Sequence, residues 1–246
     1  MNSLFLLLVV AGVAVAAPLT ELTDLPPLPT YHIHRAPRPI AIDGRIDPAE
    51  WQAAETVELT SWWPKQTGLR QKTTVRLLWD DVFLYVSYDC VDQDITAHYQ
   101  NRDDPTYKDD CCEIFIAPHP GKPSTYFGFE MNARAVMYDY VYAYAAGTLF
   151  RRWDLPYYQL MTGLDGTLNM RGDVDRGWQL EVAIPFSGLD DLTDVPKPGK
   201  IWKAQICRWD GTEPDRVLSL WCHSGRKSPD PHNWERFGSL VFDGPK

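Results

Sequence analysis

Apolar and polar positions alternate along most of this chain with the two-residue period of strands half-buried in a sheet. In "TTVRLLWDDVFLYVSYDCVD" Val75, Leu77 and Trp79 fall on one face, Asp80 and Asp81 turn, and Leu84, Val86, Tyr88 and Cys90 resume the alternation. This predicts a β-hairpin. A second is expected in "TYFGFEMNARAVMYDYVYAY", where Phe127, Phe129 and Met131 share a face, Asn132 to Arg134 turn, and Tyr138, Tyr140, Tyr142 and Tyr144 share a face. Further strands are read in "GWQLEVAIPF" (Trp178, Leu180, Val182, Ile184), "IWKAQICRW" (Trp202, Ala204, Ile206), "VLSLWCH" and "GSLVF". About eight to ten short strands separated by turns predict an all-β chain folded as a β-sandwich. Helix is expected only in one or two short pieces, "DPAEWQAAE" with Asp47 as cap and Pro48 at its first position, and "PFSGLDDL".

The N-terminus breaks the pattern. An apolar run from Leu4 to Val15 leads into Ala14-Val15-Ala16 and Pro18, which reads as a signal peptide over residues 1–16, cleaved after Ala16. It is too short to span a bilayer, and no other stretch competes as a membrane segment. The expected location is therefore secreted or periplasmic. Residues 17–38 are Pro-rich and expected to run extended, and residues 39–246 form one domain, since no linker divides them.

A net charge of −9 speaks against nucleic acid or an anionic membrane as partner and suits neutral ligands or cations better. Ten Trp, twelve Tyr and nine Phe are more than a core of this size demands, although filling a β core accounts for many of them. The five cysteines, Cys90, Cys111, Cys112, Cys207 and Cys222, allow two disulfides and a spare thiol in an exported chain. Without a CxxC pair they do not suggest zinc.

Catalysis finds little support. The chain has no GxSxG, no HExxH and no local Cys-His signature. A glycosidase needs only two carboxylates, so an activity on O-glycosyl bonds stays open in principle, but binding without catalysis is the expectation. Haem held by Met and His is an alternative for a secreted sandwich; Met131, however, sits on an apolar strand face and is more simply core. Acids crowd strand ends in "DDVF", "DCVDQD", "NRDDP" and "YKDD", as structural calcium or a solvated acidic loop would each require. In "DPTYKDDCCEIFIAP" an aromatic, Tyr107, precedes Asp109, Asp110 and Glu113. Sugars stack their C–H faces on rings while carboxylates take their hydroxyls, so this stretch reads as one wall of a sugar site. Cys112 alternates with Ile114 and Ile116 and reads as core.

The ordered set "IDGRIDPAEW", "LLWDDVFLYV", "DCCEIFI" and "GWQLEVAIP", closed by "FGSLVF", resembles the family 9 carbohydrate-binding modules and their DOMON-like relatives over residues 39 to 243. The resemblance implies a calcium-containing sandwich of jelly-roll or immunoglobulin-like build, with no organic cofactor. It implies binding to the ends of plant-type polysaccharides or oligosaccharides, with glycoside hydrolases as partners. Carried over by motif, the binding residues would be Tyr107 as first ring, Asp110 and Glu113 as polar contacts, and Trp234 as second ring. The family's sugar-gripping arginine falls at Gly128. A haem-binding electron-transfer domain and a structural envelope domain are the alternatives on the same architecture.

Overall fold

A computed structural model describes residues 19–143, 148–170, 172–189 and 195–244; the predicted signal peptide, Tyr144 and the end of "PFSGLDDL" lie outside them. The strands are β1 Thr30–Arg35, β2 Val57–Glu58, β3 Thr73–Trp79, β4 Phe83–Val91, β5 Cys111–Ala117, β6 Thr125–Asn132, β7 Met137–Ala143, β8 Thr148–Phe150, β9 Gln159–Asp165, β10 Gly177–Pro185, β11 Ile201–Asp210, β12 Val217–Leu220 and β13 Gly238–Phe242. They pair in the order β8-β7-β6-β5-β11-β13-β1-β3-β4-β10-β9, with β12 on β11 and β2 on β3.

The path folds over at β1. Thr30 to Ile33 run parallel to β13, whereas His34 and Arg35 run parallel to β3, so one strand serves both layers of a β-sandwich. Both predicted hairpins form, β3–β4 and β6–β7. Their inward residues, among them Trp79, Val86, Phe129 and Met131, meet Ile114, Trp178 and Ile206 in one core between the layers. Tyr88 crosses that core to donate from its hydroxyl to the Glu113 carbonyl, 2.8 Å away.

The "IDGRIDPAEW" segment makes successive turns over the outer face of β10 rather than a regular helix. Asp47 accepts the amides of Glu50 and Trp51. Glu181 of "LEVAIP" anchors this strap: its carboxylate accepts the Trp51 indole at 2.9 Å and the amides of Asp43 and Gly44. Gly44 has φ +83°, and a Cβ there would lie 2.5 Å from the Thr162 carbonyl carbon. Two motifs of the sequence thus explain each other: one supplies the donors, the other the acceptor.

All five cysteines are buried free thiols, so the disulfides that the composition allows are not formed. Cys112 lies in the core, as its alternation with Ile114 and Ile116 predicts, with its sulfur 3.6 Å from that of Cys90. Among the described residues no helix is long and apolar enough to cross a membrane.

Candidate functional site

The outward face of β5, β6, β7 and β11 is not polar, as a solvated sheet face would be. Alternation sends Glu113 and Phe115 outward from β5, Tyr126, Gly128 and Glu130 from β6, Tyr138, Tyr140 and Tyr142 from β7, and Cys207 and Trp209 from β11. Register then brings them together: Glu113 stands opposite Glu130 on one side and Cys207 on the other, and Glu130 opposite Tyr138. The result is a cavity of about 530 Å³ with two glutamates in its lining and aromatic walls that include Tyr107, Tyr138, Tyr140 and Trp209.

Among the described residues each glutamate keeps one carboxylate oxygen without a hydrogen-bond partner. Glu113 Oε2 accepts the Cys207 thiol at 3.1 Å and Glu130 Oε1 accepts the Tyr140 hydroxyl at 2.9 Å, while Glu113 Oε1 and Glu130 Oε2 are buried and unmatched. Burial pushes the Glu113 carboxyl up to about 7, with the Cys207 thiol and Arg216 acting the other way. Burial, then the charge of Glu113, raises Glu130 well above the usual carboxylate range.

Tyr107 comes from the 3-10 turn Thr106–Lys108 that leads into β5, fastened by the Thr106 hydroxyl donating to the Glu130 carbonyl at 2.8 Å. Its ring centroid lies 5.8 Å from that of Tyr138. Arg216 ties the two sides of the mouth, donating to the carbonyl of Tyr107 and stacking its guanidinium 4.4 Å over Trp209. On the far wall the imidazole of His232 packs 4.8 Å from Phe115 and pairs with the Tyr126 hydroxyl at 3.2 Å; burial lowers its pKa, with Asp230 acting the other way.

The structure brings together two of the four residues carried over by motif, Tyr107 and Glu113. Asp110, the residue just before β5, is elsewhere: in extended backbone, residues three apart point to opposite sides. Its oxygens accept the amides of Thr96 and Gly211, joining the loop after β4 to the turn after β11. Trp234 sits in another 3-10 turn, Trp234–Arg236, against the apolar cluster of Phe115, Tyr126 and Phe237, and is not among the cavity's lining residues. At Gly128 a side chain would collide with the Tyr140 ring, so an aromatic takes the space where the resemblance expects an arginine.

Sequence reasoning missed Glu130, Trp209 and Arg216. The first two were within reach, since they have the parity opposite to the core residues Phe129 and Ile206 of their own strands. Arg216 lies beyond the strand on a turn and carries no such signal.

The two acidic groups among the described residues each already hold an arginine. Asp92, Asp110 and Asp210 bring carboxylate oxygens within 4.8 Å of one another, but all six oxygens already accept hydrogen bonds. The positive charge among them belongs to Arg208, buried and bonded to Asp92 at 2.8 Å and Asp210 at 2.7 Å. Asp103, Asp139 and Asp154 likewise gather round an arginine: Arg102 takes both oxygens of Asp139 and pairs with Asp154.

Comparison with known proteins agrees with this architecture. A structure from Bacteroides uniformis, of a protein proposed to bind carbohydrate, superposes with a TM-score of 0.74 at 17% identity, covering 87% of this chain and 99% of that one. A family 9 carbohydrate-binding module from Caldicellulosiruptor kristjanssonii in complex with cellotriose superposes at 0.60 with 16% identity over 89% of this chain and 95% of the module. Two curated enzymes match 82% of the chain: endo-1,4-beta-xylanase A of Thermoanaerobacterium saccharolyticum at 23% identity and exoglucanase XynX of Acetivibrio thermocellus at 24%. The chain spans only 15% and 16% of their lengths. The profile described as "Carbohydrate family 9 binding domain-like" matches residues 42–243, and the chain belongs to that family.

Proposed function

We propose that this chain binds carbohydrate in the Tyr107–Glu113 cavity, taking the end of a plant-type polysaccharide or oligosaccharide, as an exported accessory to glycoside hydrolases. The observation that carries the reading is the pair of buried, unmatched carboxyl oxygens in an aromatic-walled cavity. Unmatched buried oxygens call for donors, and sugar hydroxyls are donors attached to rings whose C–H faces suit tyrosine and tryptophan. Two further supports are the cellotriose and glucose bound by the Caldicellulosiruptor modules and the polysaccharide-degrading names of the curated relatives.

Titration calorimetry of the chain from Ala17 against cellobiose, xylo-oligosaccharides and soluble glucans tests the proposal. Saturable heat that disappears in Tyr107→Ala supports it and locates the site. No heat with any glycan overturns it.

A further inference from the structure

A protein of net charge −9 ought to repel anions, yet the mouth of this cavity has the opposite sign. Trp209, Arg216 and Pro229 line both the cavity and a second cleft beside it, so the two are continuous past the Trp209–Arg216 stack. Lys65 and Lys227 line that second cleft, and Arg151 and Arg226 the cavity. Against these five cations stand Glu213 in the cleft and, in the cavity, Asp230, already paired with Arg226 at 3.3 Å, and the buried Glu113 and Glu130, whose carboxyls burial pushes up. Glu21 approaches from outside, but its carboxylate accepts the backbone amide of Lys227. Among the described residues neither lysine, nor Arg151, nor Arg216 has a carboxylate partner in an ion pair. Arg216 Nε is in addition buried without a hydrogen-bond partner. Concentrating unpaired cations round one cleft of an acidic protein costs electrostatic energy unless an anion is received there.

We propose that the cleft lined by Lys65, Arg216 and Lys227 is an anion subsite, so that the preferred ligand is an acidic glycan. A terminal sugar fills the cavity, and an anionic substituent next along the chain, a uronate carboxylate or a sulfate ester, lies against the cations. This rests on the carbohydrate reading of the cavity and adds to it the charge of the ligand. The second cleft is also where a chain leaving the cavity has an aromatic to follow, on Trp209.

The experiment is calorimetry at low salt with three ligands: a neutral xylo-oligosaccharide, the same oligosaccharide bearing one glucuronic acid, and a sulfated oligosaccharide of equal length. At least one acidic ligand should bind about tenfold tighter than the neutral one, as two or three exposed ion pairs would supply. Which acidic ligand gains names the substituent. The advantage should shrink in about 0.5 M salt, and should vanish in Lys65→Glu/Lys227→Glu with the neutral affinity unchanged. Both lysines are exposed, so an unchanged melting temperature will show that the variant folds. Equal affinity for neutral and acidic ligands overturns the anion subsite and leaves the carbohydrate reading standing. Failure of all three ligands overturns both.

Discussion

Glu113 and Glu130 stand directly opposite each other across the β5–β6 ladder, both buried, on the outer face of the sheet. Like charges so placed repel, and among the described residues neither has a cation in an ion pair to offset the burial. Arg216 acts on them only at a distance, its bonds going to the carbonyls of Tyr107 and Asp109.

That arrangement makes stability depend on pH. A carboxyl raised in the folded state, from 4.5 to about 7 for Glu113, binds its proton more tightly folded than unfolded. Its contribution is therefore present below about pH 4 and is lost as pH rises through about 7, in total roughly 3 kcal/mol. Melting temperature should fall between about pH 5 and about pH 8, and Glu113→Gln, which cannot ionise, should flatten the fall. Identical profiles for the two proteins would show that Glu113 is not the group responsible.

Tyr107→Ala and Trp209→Ala should each weaken glycan binding by about 1 to 3 kcal/mol with little change in melting temperature. Trp234→Ala should do the reverse. Its ring packs on the cluster under the cavity wall, so its loss should cost about 1 to 3 kcal/mol of stability and leave affinity near that of the parent. Calorimetry beside urea denaturation separates the two effects. A large loss of affinity in Trp234→Ala at unchanged stability would return that ring to the site.

Arg208→Met removes the cation bonded to Asp92 and Asp210 and leaves buried carboxylates uncompensated. The expected cost is about 3 to 5 kcal/mol in urea denaturation. Because the arginine supplies the charge that a calcium ion would bring, chelation should not shift the melting temperature of the parent protein. A chelator-sensitive melt would place a cation in this structure.

Glu181→Ala orphans the Trp51 indole and the amides of Asp43 and Gly44 together, and should cost about 2 to 5 kcal/mol. Glu181→Gln keeps a carbonyl acceptor and should recover part of that. Equal melting for all three proteins would mean that the strap over β10 adds nothing to stability.

Inward and outward parity along each strand belongs to the sequence by itself, because alternation is a local property that burial must respect. Val75, Leu77 and Trp79, Phe127 and Phe129, and Trp178 and Ile184 were legible as core on that ground alone, and the ordered motifs as those of one family. The same parity, read outward, already held Glu130 and Trp209. What the tertiary structure decided is convergence. Tyr107 on a turn, Glu113 and Glu130 on neighbouring strands, Trp209 on a strand about a hundred residues later and Arg216 beyond it meet only through strand order and register, which no local pattern encodes. Asp110 shows the limit from the other side. It lies three residues before Glu113 in the same motif, yet the pleat turns it to the opposite face, where backbone amides from two distant loops take both of its oxygens. Net charge behaves likewise: a sum over the chain says acidic, but the positions of Lys65, Arg216 and Lys227 in the fold make one cleft basic, and a ligand responds to that local field.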